Sequence, residues 1–172
     1  MLHGYTQVYT GNGKGKTTAM LGLALRAIGA GLRVYIGQFM KNAQYNEVAA
    51  IKNHLPMVTF EQYGGNYDLG GMAYDSDFAA AEAGLKKARE AMLSGKYNVI
   101  ALDEINMAAT VGLLPIEAVL DLIKNKPHNV ELVLTGRYAP MEVVVAADLV
   151  TEMHDVKHYY NRGVPARDGI EL

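Results

Sequence analysis

Thr10-Gly11-Asn12-Gly13-Lys14-Gly15-Lys16-Thr17-Thr18 lies between a short β-rich run and a helical one. Upstream, Gln7-Val8-Tyr9-Thr10 reads as a strand that ends directly in the glycines. Downstream, Thr17 to Ile28 reads as a helix: Met20, Leu23, Ala24, Ala27 and Ile28 recur at helical spacing, and Gly29 and Gly31 stop it. Leu21 and Leu25 extend the apolar surface around that helix, so it is expected to be largely buried. A strand, a glycine-rich turn and a helix in this order make a phosphate cradle. Glycines let the backbone curl until several N–H groups point inward, and the helix start adds free amides and the positive end of its dipole. Gly11, Asn12, Gly13, Lys14, Gly15, Lys16, Thr17 and Thr18 are therefore candidate ATP-binding residues. Lys16 supplies a mobile charge for phosphate oxygens, and the Thr17 hydroxyl is placed to bind magnesium. The common pattern has a glycine where this chain has Thr10; here it comes one residue later, at Gly11.

Outward from this unit, β-rich and helical runs continue to alternate. Arg33 to Phe39, Met57 to Gln62, Asn98 to Leu102, Val130 to Thr135 and Leu149 to Met153 read as strands. Asn46 to Asn53, Asp77 to Ser94, Pro115 to Lys124 and Pro140 to Ala147 read as helices. The alternation predicts an α/β fold, a mostly parallel sheet with helices on both faces, in a single domain spanning 1–172. Tyr63 to Ser76 is glycine-rich without periodicity and reads as a long loop, the kind that often serves as a lid or binding segment. Lys157 to Leu172 is polar, with Gly163, Pro165 and Gly169, and is expected to have no regular structure.

Composition removes several function classes. With 172 residues, half of them hydrophobic and 20% charged, the chain has the balance of a soluble globular domain. A net charge of −2 without a basic block argues against nucleic acid or an anionic membrane as partner. No cysteine is present, so disulfides and thiolate chemistry are excluded, and any redox step needs a bound cofactor or a partner. No signal peptide or membrane span is legible, and a cytoplasmic protein is expected. His3, His54, His128, His154 and His158 show no metal-ligand spacing, and no Ser-His-Asp or Cys-His arrangement can be read.

Leu102-Asp103-Glu104 closes an apolar strand, where an acidic residue in a P-loop protein completes the magnesium site, directly or through water. Asp103 and Glu104 thus join Thr17 as candidate metal ligands, and Lys16, Thr17 and Glu104 as candidate catalytic residues. Arg137 follows a buried strand at the sheet edge where ligands bind in such folds. These features point to ATP and Mg2+ without fixing what is done to the nucleotide.

The run Gly11 to Thr18 resembles the variant P-loop of the ATP:corrinoid adenosyltransferases of the P-loop type. The resemblance continues in Arg26-Ala27 with Gly29 and Gly31, in Gln38-Phe39-Met40-Lys41 and in Leu102-Asp103-Glu104-Ile105. It extends through Leu134-Thr135-Gly136-Arg137-Tyr138-Ala139-Pro140, Ala147 to Met153, Val156-Lys157-His158 and Gly169-Ile170-Glu171. The resemblance implies a RecA-like fold that binds ATP in the reverse orientation along the loop. It also implies attack of cobalt(I) on the ribose 5′ carbon and release of triphosphate. It further implies Arg26 and Arg137 near the nucleotide, a flavoprotein or other electron donor, and a homodimer.

Relatives often carry an amino-terminal extension that helps cover the corrinoid, and a phenylalanine and a tryptophan that crowd the cobalt. Here the P-loop begins within about ten residues of Met1, and tryptophan is absent. Tyr67 and Met72, with Gln38, stand as the candidate corrinoid contacts. Spacing alone leaves two other readings open: a RecA-like ATPase or kinase, in which Glu104 orients the attacking water or hydroxyl, and a non-catalytic ATP-sensing module.

Overall fold

The computed structural model describes residues 3–41, 43, 45–64 and 72–171. Six strands alternate with helices: β1 (Thr6–Thr10), α1 (Lys16–Gly29), β2 (Val34–Phe39), α2 (Asn46–His54), β3 (Val58–Tyr63) and α3 (Asp75–Leu93) come first. Then follow β4 (Val99–Asp103), α4 (Ile105–Thr110), α5 (Ile116–Lys124), β5 (Glu131–Thr135), α6 (Met141–Ala146) and β6 (Leu149–Glu152). Every neighbouring pair is parallel, in the order β3-β2-β4-β5-β1-β6. The central strands, Val-Tyr-Ile-Gly-Gln-Phe and Val-Ile-Ala-Leu-Asp, are buried along their whole length, as strands covered on both faces must be.

Side chains alternate across each strand, and each face has its own helices. Val34, Ile36, Val58, Phe60, Val99, Ala101 and Val133 pack under α1 and α2, through Met20, Ala24, Ala27, Val48 and Ile51. Tyr35, Phe39, Ile100, Leu102, Leu132 and Leu134 pack under α3 to α6. The helices on both faces and the all-parallel sheet are as the sequence pattern predicts.

Four local expectations change. Helix α1 is only half buried: Leu25 is 59% exposed, and Leu21 and Leu25 line an apolar cavity of ≈370 Å³ with Ala50, Ile51 and Leu55. The loop expected through Ser76 is shorter at both ends. Tyr63 still pairs in β3, and α3 begins at Asp75 because the Asp77 carboxylate accepts the Tyr74 backbone N–H at 2.8 Å. Helix α4, absent from the sequence reading, starts directly behind Glu104 and stops at Gly112, whose φ is +79°. The polar C-terminal segment contains a short 3-10 turn, Tyr159–Arg162.

Candidate active site

The phosphate loop is held by backbone on both sides. The Gly13 N–H donates to Met153 O at 2.7 Å, and the Met153 N–H donates to Thr10 O at 2.9 Å, which stitches the loop to the chain leaving β6. Gly11 (φ +91°) has no room for a side chain, because a Cβ there would lie 2.4 Å from Met153 O. Lys16 opens α1 and is buried, and its Nζ donates to Gly11 O at 2.7 Å and Gly13 O at 2.8 Å. Burial pushes the Lys16 pKa below its ordinary value, against the pull of the Glu104 carboxylate. Among the described residues Lys16 contacts carbonyls and no carboxylate, so the ammonium remains available to an anion in the loop.

Beneath α1, four strands end in polar residues on the same face. The register pairs Gln38 with Gln62 on β3 and with Asp103 on β4, and Leu102 with Leu134, which sets Thr135 beside Asp103. Gln62 Nε2 donates to Gln38 Oε1, and Gln38 Nε2 donates to Asp103 Oδ2, each at 2.9 Å. The Thr135 hydroxyl donates to Asp103 Oδ1 at 2.6 Å, Thr17 Oγ1 donates to the same oxygen at 2.9 Å, and Lys41 Nζ lies 3.3 Å from Asp103 Oδ2. Burial would raise the Asp103 pKa, but Lys41 and the three hydrogen bonds overcome it and hold the carboxyl below its usual value. Four donors fill the roughly four lone-pair positions of a carboxylate. Asp103 therefore acts through Thr17: it accepts the hydrogen bond of the hydroxyl and leaves the oxygen lone pairs facing outward.

Glu104 follows in a left-handed conformation (φ 59°), which side chains other than glycine adopt at a cost of about 1–3 kcal/mol. Its backbone N–H is held by Thr135 Oγ1 at 3.2 Å. Its side chain lines a cavity of ≈240 Å³ together with Lys16, Thr17, Arg137 and His158. Burial first, and then the negative Asp103, raise the Glu104 pKa, while Lys41, Lys16 and Arg137 oppose the rise. A second cavity of ≈440 Å³, lined by Asn12, Asp155, Tyr160 and Asn161, shares Lys14, Arg137 and His158 with the first. The donor set fits magnesium. Among the described residues no group of three or more His, Asp or Glu could hold a metal by itself. Thr17 Oγ1 and the Glu104 carboxylate offer the one or two protein oxygens that this ion takes when phosphates and water supply the rest.

The structure therefore gathers Gly11 to Thr17, Asp103, Glu104 and Arg137 at the carboxyl edge of the sheet. Thr18 faces the apolar cavity instead, and Lys14 turns toward the C-terminal segment. Two candidates stand apart from the phosphate cradle. Arg26 sits in the last turn of α1, about 15 Å from Lys16 at ~1.5 Å per residue, so it is not part of the cradle. Gln38 is fully buried, with both ends of its amide engaged, so it supports the site from below and has no surface for a corrinoid. Met72 is 82% exposed, and Tyr67 lies outside the described residues. Lys41 and Thr135 had no assigned role in the sequence reading. For Thr135 the signal was present in the strand alternation Val133-x-Thr135, matched by Ala101-x-Asp103, which ends each row under α1 in a polar residue.

A P-loop on β1, an acidic end on β4 and an extra strand, β5, between them define a nucleotide-binding protein of the P-loop class. A KaiC-like protein from the hyperthermophilic archaeon Pyrococcus horikoshii has the same fold, with a TM-score of 0.60 and 16% identity over 90% of this chain and 75% of that one. Residues 2–172 match the family described as ATP:corrinoid adenosyltransferase BtuR/CobO/CobP, and the chain belongs to it. It is 35% identical to a corrinoid adenosyltransferase of Pseudomonas aeruginosa, over 98% of this chain and 84% of the relative. It is 33% identical to one of Escherichia coli K12, over 95% of this chain and 83% of the relative.

Proposed function

We propose that this ATP:corrinoid adenosyltransferase moves the 5′-deoxyadenosyl group of ATP onto the cobalt(I) of a reduced corrinoid, with Lys16, Thr17 and Glu104 handling the leaving group. The cobalt–carbon bond forms, the bond from the 5′ carbon to oxygen breaks, and its electron pair departs on triphosphate. The observation that carries the assignment of roles is the meeting of Lys16, Thr17 and Glu104 in one cavity, with no carboxylate among the described residues in contact with Lys16.

The nucleophile brings its own electron pair, so the protein has no proton to remove. Its contribution is electrostatic, directed at the charge that develops on the departing phosphates. Loop amides and the Lys16 ammonium receive that charge. Asp103 keeps the Thr17 oxygen turned to the cavity, and Thr135 fixes the backbone from which Glu104 reaches it. Magnesium, held by Thr17 and Glu104 with the phosphates, would supply further positive charge on the leaving group. Arg137, on the wall shared by the two cavities, is assigned to the nucleotide. Met72 and Tyr67 remain assigned to the corrinoid side. A flavoprotein or other electron donor, a homodimer and a cytoplasmic location belong to the same reading, supported by the resemblance. No helix among the described residues is long and apolar enough to cross a membrane.

The test is an anaerobic reaction of the protein with magnesium-ATP and chemically reduced cobalamin, followed by absorbance of the light-sensitive cobalt–carbon product and by analysis of the released phosphate. Equal amounts of adenosylcobalamin and triphosphate, both lost in Lys16→Ala, are expected. ADP and phosphate with no change at cobalt would overturn the proposal.

A further inference from the structure

The C-terminal segment folds back onto the phosphate loop and takes hold of one of its lysines. Lys14 Nζ donates to Glu171 Oε1 at 2.6 Å, to Ile170 O at 3.1 Å and to the Tyr159 hydroxyl at 3.2 Å. An ammonium has three donors, so the whole hydrogen-bonding capacity of Lys14 goes to the tail. Glu171 also accepts from Arg167, through Nε at 3.2 Å, Nη2 at 3.1 Å and the backbone N–H at 3.0 Å, and from the Tyr159 hydroxyl. Arg167 in turn lies over the Tyr159 ring, 4.9 Å from its centroid. Arg167, then Lys14 and Tyr159, hold the Glu171 carboxyl well below the usual glutamate range.

This cluster forms one rim of the cavity that also contains Lys16 and Thr17. A carboxylate bound by a lysine and an arginine beside a phosphate cradle makes the kind of contacts that a phosphate oxygen would make. A polyphosphate entering the cavity meets two carboxylates, Glu104 and Glu171. Glu104 can be neutralised by magnesium. Glu171 reaches the same cavity already bound to Lys14 and Arg167, so incoming phosphate oxygens compete with it for the Lys14 ammonium.

We propose that Glu171 is an internal competitor for the polyphosphate: it holds Lys14 until phosphate oxygens displace it, and it takes Lys14 back when triphosphate leaves. The inference rests on the nucleotide-binding reading of the cradle and adds a role for the tail. For Lys14 the exchange replaces one set of anionic and carbonyl acceptors by another, so tail release and phosphate binding are coupled. The competitor weakens retention of a product that carries several negative charges and would otherwise remain in a cradle built for it.

The size of the effect is limited by solvent, because the side chain of Lys14 is 40% exposed and that of Glu171 17%. Exposed ion pairs of this kind correspond to roughly twofold to fivefold in affinity. The experiment is calorimetric titration of the full chain with inorganic triphosphate and magnesium, in wild type, Glu171→Gln, Arg167→Gln and Lys16→Ala. Glu171→Gln is expected to bind triphosphate roughly two to five times more tightly at low salt, with the gap closing at high salt as the charges are screened. Arg167→Gln loosens the tail but keeps the competing carboxylate, so it is expected to give no gain. Unchanged or weaker binding in Glu171→Gln would overturn the proposal and make the tail a structural wall, and so would equal tightening in both variants. If wild type and Lys16→Ala bind triphosphate alike, the cradle reading itself fails. That result is distinct from a working cradle that is indifferent to Glu171.

Discussion

Replacing Asp103 by Asn keeps shape and volume and removes one charge from the centre of the polar row. The amide oxygen must then face Lys41 Nζ and Gln38 Nε2, which can only donate. The amide nitrogen is left facing the Thr17 and Thr135 hydroxyls, which must accept instead of donating. Two effects follow. Lys41 loses its counter-charge, and breaking one side of a buried pair costs about 3–5 kcal/mol. Lys41 keeps 24% exposure, so the lower end applies, about 3 kcal/mol. For a chain of this size that corresponds to a fall of roughly 6–12 °C in the thermal midpoint. The second effect is functional: the Thr17 proton turns into the cavity where magnesium would sit, so the magnesium dependence of ATP binding should shift to higher concentration. Thermal melts and ATP titrations at graded magnesium measure both. Adding Lys41→Met removes the orphaned charge and should recover part of the stability without restoring magnesium affinity. If Asp103→Asn stays within about 1 kcal/mol of wild type, or the double variant is no more stable than the single, the account of Asp103 as the hub is wrong.

Four further outcomes are expected. Gly11→Ala places a Cβ 2.4 Å from Met153 O at a φ of +91°, and strain of about 1–3 kcal/mol should weaken ATP roughly tenfold. Gly22→Ala, in the middle of α1 with nothing within 4 Å, should instead stabilise the fold by about 1 kcal/mol in chemical denaturation. Burial, then the contact with the Tyr63 hydroxyl and the nearby Glu61, pushes Tyr35 well above the usual 10.0, and burial, then Glu61, raises Tyr63 against the opposing contact with Tyr35. Their stabilising effect is therefore complete below the unfolded value and lost as pH rises above it. Ultraviolet titration should show both phenols ionising only as the protein unfolds; full ionisation near pH 10.0 in a folded protein would refute this. Arg26→Gln, remote from the cradle, should change the KM for ATP by less than about twofold in steady-state kinetics, whereas a larger change would return Arg26 to the site.

The elements that the sequence made legible are those encoded by neighbours in the chain. Thr10 to Thr18 announces its turn through glycines and its helix through apolar spacing. The apolar runs ending at Phe39, Asp103 and Thr135 announce buried parallel strands. Helix α4 escaped because Asp103-Glu104 was read as the end of a strand, and a left-handed Glu104 restarting the chain as a helix leaves no local pattern. The docking of the tail escaped for a different reason. It rests on Lys14 meeting Glu171 and Tyr159, contacts 157 and 145 residues apart that no periodicity encodes. Gln38 stands as a corrinoid contact only through the motif that carries the resemblance, and the register of β2 with β3 and β4 buries it instead.

That register explains why a site forms here at all. In a parallel sheet every strand ends at the same edge, so polar residues that close the rows under α1 are brought together whatever their separation in sequence. Burying them is unfavourable unless they satisfy one another. The row does so as a continuous chain from Gln62 through Gln38 to Asp103, with Thr135 and Thr17 closing it from the other side. Asp103 can hold a negative charge there because Lys41 comes from the exit of the neighbouring strand. With its acceptors consumed, the carboxylate is fixed in place and directs Thr17, while the next residue, Glu104, is turned by its backbone into the cavity. The division of labour between two adjacent acids follows from the break at the strand end: Asp103, the last residue of β4, points under α1 and organises, and the left-handed Glu104 lines the cavity with Lys16 and Thr17.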